Sequence, residues 1–205
     1  MVHGYHVIVC AYGFWLPNDP RGSWSDFVGK WELVRFGKAT KGLTRLELTE
    51  EEERDRQAAK SLLEYPAVQF SELQARAIGC GFGNACRKSG FTIWACAILP
   101  EHTHLVIARH DFKVEYIANL LKGEATKQLR KEGLDPMSAY ARPGQRPHSP
   151  WSDRRWKVFL DSEQSIENAI RYVEENPVKE GKPRQHWSFV TPFAGLAKGG
   201  QITYH

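Results

Sequence analysis

The tightest constraint on folding lies between Phe91 and Ile107. An apolar run over residues 91–99 is followed by Pro100-Glu101, then by His102-Thr103-His104-Leu105-Val106-Ile107. Pro100 and Glu101 form a turn short enough to fold the second run back on the first as an antiparallel hairpin. Side chains alternate along a strand, so His102 and His104 leave one face together. Thr103, Leu105 and Ile107 leave the other face, where a core can cover them. Two neutral imidazoles about 6–7 Å apart along a strand can chelate one divalent metal. Two polar side chains on a partly solvated sheet face would carry the same motif, so the rest of the chain has to decide.

The remaining elements follow from local pattern. Residues 5–12 form an apolar run that reads as a central strand buried on both faces. Residues 13–65 form a long excursion, turn-rich and aromatic at first, with Trp15, Trp24 and Trp31 available to stack on bases or to pack back on the body. Within it, Thr49 caps a charged helix that begins at Glu50. Ser71 and Gln74 form a capping box that opens a helix running to about Lys88. Gly79, Gly81 and Gly83 in that helix imply close approach to the sheet, and Gly90 ends it. A second helix spans residues 113–132, with Val114, Ile117, Ala118, Leu121, Ala125 and Leu129 on one side and Gly133 as its stop. Residues 134–150 read as a mobile basic loop, and residues 157–160 as a fourth strand. Asp161 paired with Gln164 starts a third helix that runs to Asn176 and is ended by Pro177. Strand, helix, hairpin, helix, strand, helix is an α+β arrangement: an antiparallel sheet with helices packed on it.

At 205 residues, 41% hydrophobic and 25% charged, the chain is a globular sequence with enough length for a real core. No apolar run has the length of a membrane span, and Met1-Val2-His3-Gly4-Tyr5 enters a strand without a signal sequence, so a cytoplasmic protein is expected. Cys10, Cys80, Cys86 and Cys96 form no Cys-x-x-Cys pair. Cys10 and Cys96 sit in apolar strands as buried reduced thiols. The net charge of +4 is modest, but the excess is local. Lys122, Lys127, Arg130, Lys131, Arg142, Arg146, Arg154, Arg155 and Lys157 face only Glu124, Glu132, Asp135 and Asp153 between residues 120 and 160. Interleaved with Trp151 and Trp156, that stretch is suited to contact phosphates.

Three blocks then resemble a known family. They are Pro100-Glu101-His102-Thr103-His104-Leu105, Trp151-Ser152-Asp153-Arg154-Arg155-Trp156, and Ala169-Ile170-Arg171-Tyr172-Val173-Glu174-Glu175-Asn176-Pro177-Val178. Their order and spacing are similar to the single-tyrosine HUH transposases, nearest the REP-associated tyrosine transposases, over residues 1–12 and roughly 66–182. The resemblance implies a ferredoxin-like HUH nuclease fold with the catalytic tyrosine on a C-terminal helix. It implies a single domain over 1–205, with an insertion at about 13–65 and an extension from about 183. It implies metal-dependent cleavage and rejoining of single-stranded DNA near a hairpin through a 5′-phosphotyrosine. Tyr172 would be the nucleophile. His102, His104 and Asn176 would hold Mg²⁺ or Mn²⁺, and Arg142, Arg146, Arg154, Arg155 and Lys157 would contact DNA. The expected partner is single-stranded or hairpin DNA, with no membrane, and the chain would act as a monomer or homodimer. Tyr172 and Asn176 are i and i+4, hence on one helical face.

Thr103 departs from the bulky apolar residue usual in that family, and its hydroxyl would need a partner on the covered side. Tyr116 is a rival nucleophile, but its i+4 residue is Leu120, which cannot ligate a metal. A catalytically inactive hairpin-binding or regulatory protein of the same fold is the second reading. A metal hydrolase of another kind would need a carboxylate near the histidines. Glu101 alternates to the wrong face, and Asp111 lies seven residues past His104.

Overall fold

The structure, a computed structural model, describes residues 1–19, 28, 31–36, 38–40 and 48–196, without the side chains of Trp31, Arg154 and Arg155. Four strands make an antiparallel sheet: β1 (Gly4–Ala11), β2 (Ile93–Ile98), β3 (His102–Ala108) and β4 (Trp151–Leu160). Their spatial order is β2-β3-β1-β4, so the apolar first strand is interior, as its continuous hydrophobic run requires. Helices α1 (Trp31–Val34) and α2 (Glu50–Lys60) belong to the excursion after β1. Helices α3 (Glu72–Ser89), α4 (Val114–Lys131) and α5 (Glu163–Lys179) complete a βαββαβα order of ferredoxin-like type. Among the described residues, no helix is long and apolar enough to cross a membrane.

Strand alternation divides the core between two faces. Val7, Val9, Leu105 and Ile107 join the apolar sides of α3 and α4 in the larger cluster, with Trp151 fully inside it. On the opposite face, Ala95, Ala97 and Val106 pack against Ile166, Ala169 and Val173 of α5. Ala97 is directly opposite His104 in the β2–β3 register. A small side chain there leaves room for α5 beside the histidine.

The glycines of α3 do not serve the sheet, as the spacing led one to expect. A Cβ on Gly81 would stand 2.5 Å from Ala125 Cα of α4, so this glycine sets helix–helix approach. Gly79 and Gly83 instead receive Trp187 and Phe189. Those rings come from residues 183–196, a strap that runs along the outer edge of β2. Gln185 Nε2 donates to Ile98 O at 2.8 Å, Ile98 N–H donates back to Gln185 Oε1 at 2.7 Å, and Thr191 N–H donates to Ile93 O.

Three boundaries differ from expectation. β4 begins at Trp151 rather than residue 157. It pairs only with β1, and its first half is too polar to show a one-sided apolar pattern. The cap of α5 is Ser162, whose side chain accepts from Ser165 N–H, rather than Asp161. The helix also passes through Pro177 to Lys179. The proline removes one helical donor, yet the next turn closes on other bonds: Gly181 N–H to Val178 O and Lys182 N–H to Pro177 O, with Gly181 at φ 70°. That is a Schellman end, and the glycine rather than the proline marks it.

Candidate active site on the α5 face of the sheet

β3 delivers His102 and His104 to the face covered by α5, with ring centroids 4.8 Å apart. Phe14, the start of the excursion after β1, stacks flat on His102 at 4.9 Å and 6°. His104 is 3% exposed. Its imidazole pKa is held well below the ordinary value, first by burial and then by His102 and His6. The ring is therefore neutral at neutral pH and keeps a nitrogen lone pair for a ligand.

α5 places Tyr172 over this face. Its ring stands edge-on to His104 at 5.5 Å and to His6 at 5.6 Å, while remaining 44% exposed. One turn on, Asn176 is 8% exposed. By type, two imidazoles and a carboxamide oxygen are N and O donors suited to a divalent first-row or alkaline-earth ion, so the chemistry of these residues fits the implied metal. Lys179 Nζ lies 5.3 Å from the Tyr172 ring centroid, adding a cation beside the phenol.

His6 was not among the residues singled out from the sequence. It is the polar residue on the α5 side of β1, buried, with its pKa pushed down to about 4 by burial. Its Nε2 lies 3.1 Å from His104 Nδ1. The available signal was parity: a histidine in an otherwise apolar strand, on the same face as Ile8.

The remaining candidates separate. Lys157 sits opposite Val7 and pairs with Glu115 of α4, so it lies on the other face of the sheet from the histidines. Arg142 and Arg146 are exposed in the loop before β4. That loop also contributes Tyr140 and His148 to a ring cluster with Tyr65 and Tyr12, just past the His102 end of β1. Arg154 and Arg155 lie in β4, their side chains outside the described residues. Trp151 is core, its Nε1–H bonded to Thr126 Oγ1, and does not stack on a ligand. Trp156 is on the site face, edge-on to His6 at 5.8 Å. Trp15 packs on Phe14, and Trp24 lies outside the described residues. Tyr116 is 52% exposed on α4, behind the sheet from the histidines. Glu101 faces away, bonded to Lys60 and Gln69. The four cysteines are free, with Cys10 and Cys96 buried.

No family model matches the sequence. Among solved structures, a REP-associated tyrosine transposase bound to a REP hairpin aligns over 98% of this chain and 93% of its own, with 15% identity and a TM-score of 0.46. A Deinococcus radiodurans protein described as a transposase aligns over 89% and 92%, with 8% identity and a TM-score of 0.41. A curated Haemophilus influenzae protein described as a REP-associated tyrosine transposase is 28% identical over 102 residues, which span 49% of this chain and 57% of that protein. Over those 102 matched residues, the chain is similar to a REP-associated tyrosine transposase.

Proposed function

We propose that the chain cleaves and rejoins single-stranded DNA, with Tyr172 as the nucleophile and a hairpin as the preferred setting. The carrying observation is the placement of Tyr172, edge-on to His104 at 5.5 Å and still open to solvent. A relative described as a REP-associated tyrosine transposase supports the same reaction class.

The tyrosine Oη attacks the scissile phosphorus and the bond to the 3′-oxygen breaks. The phenol gives up its proton and the departing 3′-oxygen takes one up. One phosphodiester is exchanged for another, so the freed 3′-hydroxyl of a second strand can reverse the step and rejoin. A phenol of pKa near 10 is a weak nucleophile without help. A bound Mg²⁺ or Mn²⁺, held by His102, His104 and Asn176, would supply neutralisation of charge on the non-bridging phosphate oxygens. Phe14 and α5 wall the imidazoles off from bulk water, and the exposed Arg142 and Arg146 contact backbone phosphates.

The test uses a library of single-stranded hairpins incubated with the protein and Mn²⁺, then run on a denaturing gel. Wild type should give a covalent protein–DNA adduct. Tyr172→Phe should give none while binding hairpins with nearly unchanged affinity. An adduct persisting in Tyr172→Phe places the nucleophile elsewhere. Hairpin binding by wild type without any adduct replaces the enzyme with a binding protein of the same fold.

A further inference from the structure

The structure assigns a positioning role to His6: it accepts a hydrogen bond from His104 Nδ1–H and so holds His104 in the tautomer whose Nε2 lone pair is free for a metal. The inference rests on the reading of His104 as a ligand and adds a residue to it.

The geometry begins with register. His6 is opposite Val106, and Ile8 is opposite His104. His6 and His104 are therefore diagonal neighbours on one face of an antiparallel pair, a separation that long side chains bridge. Their rings approach to 5.3 Å at 29°, with Nε2 of one 3.1 Å from Nδ1 of the other. His6 has little freedom to leave. Tyr172 stands against it at 5.6 Å and Trp156 at 5.8 Å. Trp156 is opposite Ile8 on β4, so the same diagonal relation clamps His6 from both neighbouring strands.

The chemistry then allows two states. Two neutral imidazoles joined nitrogen to nitrogen share one proton, and each ring carries one N–H. If His6 Nε2–H donates, His104 must carry its own proton on Nε2, and no lone pair remains there for a cation. If His104 Nδ1–H donates, its Nε2 is bare and His6 keeps its proton on Nδ1. Only the second state is compatible with ligation, because Nδ1 of His104 is occupied by His6 in both. A hydrogen bond to the non-ligating nitrogen is the usual device that fixes the tautomer and raises the basicity of a ligand histidine. His6 acts behind His104 rather than beside it: among the described residues, no three His, Cys, Asp or Glu side chains are grouped to hold one ion.

Two measurements test this on the whole chain. In metal-free wild-type protein, a long-range ¹H–¹⁵N spectrum of the histidine rings should show His104 protonated at Nδ1 and bare at Nε2. Protonation at Nε2 overturns the inference. Separately, Mn²⁺ is titrated into wild type, His6→Leu and His6→Gln. The leucine fills the space without an acceptor and should weaken Mn²⁺ binding roughly 10- to 100-fold. The glutamine carbonyl can accept from Nδ1–H and should recover most of the loss. Equal Mn²⁺ affinity in wild type and a folded His6→Leu protein overturns the role of His6 alone. A wild type that binds no Mn²⁺ overturns the metal reading itself.

Discussion

Thr103 lies between the two histidines and shows what one hydroxyl costs. It is fully buried on the α3–α4 side, and its Oγ1 has no hydrogen-bond partner among the described residues. A buried polar atom without a partner costs about 1–3 kcal/mol. Thr103→Val keeps the branched shape a strand favours and removes the hydroxyl, so it should raise stability by about 1 kcal/mol, read as a shifted urea midpoint with an unchanged slope. The histidines behave oppositely with acid. Both His6 and His104 are held below the ordinary imidazole value, His6 at about 4. Below pH 6.5 the unfolded chain binds protons that the folded chain refuses, so stability falls as the pH drops. The loss is about 1.4 kcal/mol per pH unit for each histidine, continuing for His6 until about pH 4. Above pH 6.5 neither contributes. Urea unfolding at pH 7 and pH 5 in chelator-treated buffer should show this fall, and a flat response would mean the imidazoles are solvated.

Among the elements, α3 and α4 give the cleanest internal comparison. Gly81 faces the backbone of Ala125, whereas a Cβ added at Gly123, on the solvent side of α4, would meet nothing within 4 Å. Gly81→Ala gains helix propensity of nearly 1 kcal/mol but must push two helices apart, an overpacking cost of about 1–3 kcal/mol or more. It should destabilise, while Gly123→Ala should stabilise by about 0.5–1 kcal/mol. Thermal melts of the two variants decide it, and equal melting temperatures would refute the close approach. These elements also show what the sequence could reveal. The caps at Thr49 and Ser71 and the stop at Gly90 were legible because each is a bargain among residues three or four apart. The strand parity of His102 and His104 was legible for the same reason, as was the shared face of Tyr172 and Asn176. What escaped depends on distant chain. His6 meets His104 across 98 residues, Gly79 and Gly83 of α3 face a strap about a hundred positions on, and the first half of β4 is strand only because β1 pairs with it.

At the scale of the molecule, the proposed nucleophile and the paired imidazoles come from one chain. α5 is packed into its own sheet through Ile166 and Val173, and its C-terminal end is carried into the strap along β2. A mixture of Tyr172→Phe and His104→Ala proteins should therefore recover no cleavage, because no subunit in it carries an intact centre. Activity regained on mixing would mean that the helix is exchanged between subunits. The strap has a second effect. It occupies the outer margin of β2 at Ile93 and Ile98 with the chain's own amides, so a foreign strand adding to the sheet meets less obstruction at the β4 flank. There Asp153 and Lys157 set charges in the path of any incoming backbone, a guard against templated fibre growth on that side.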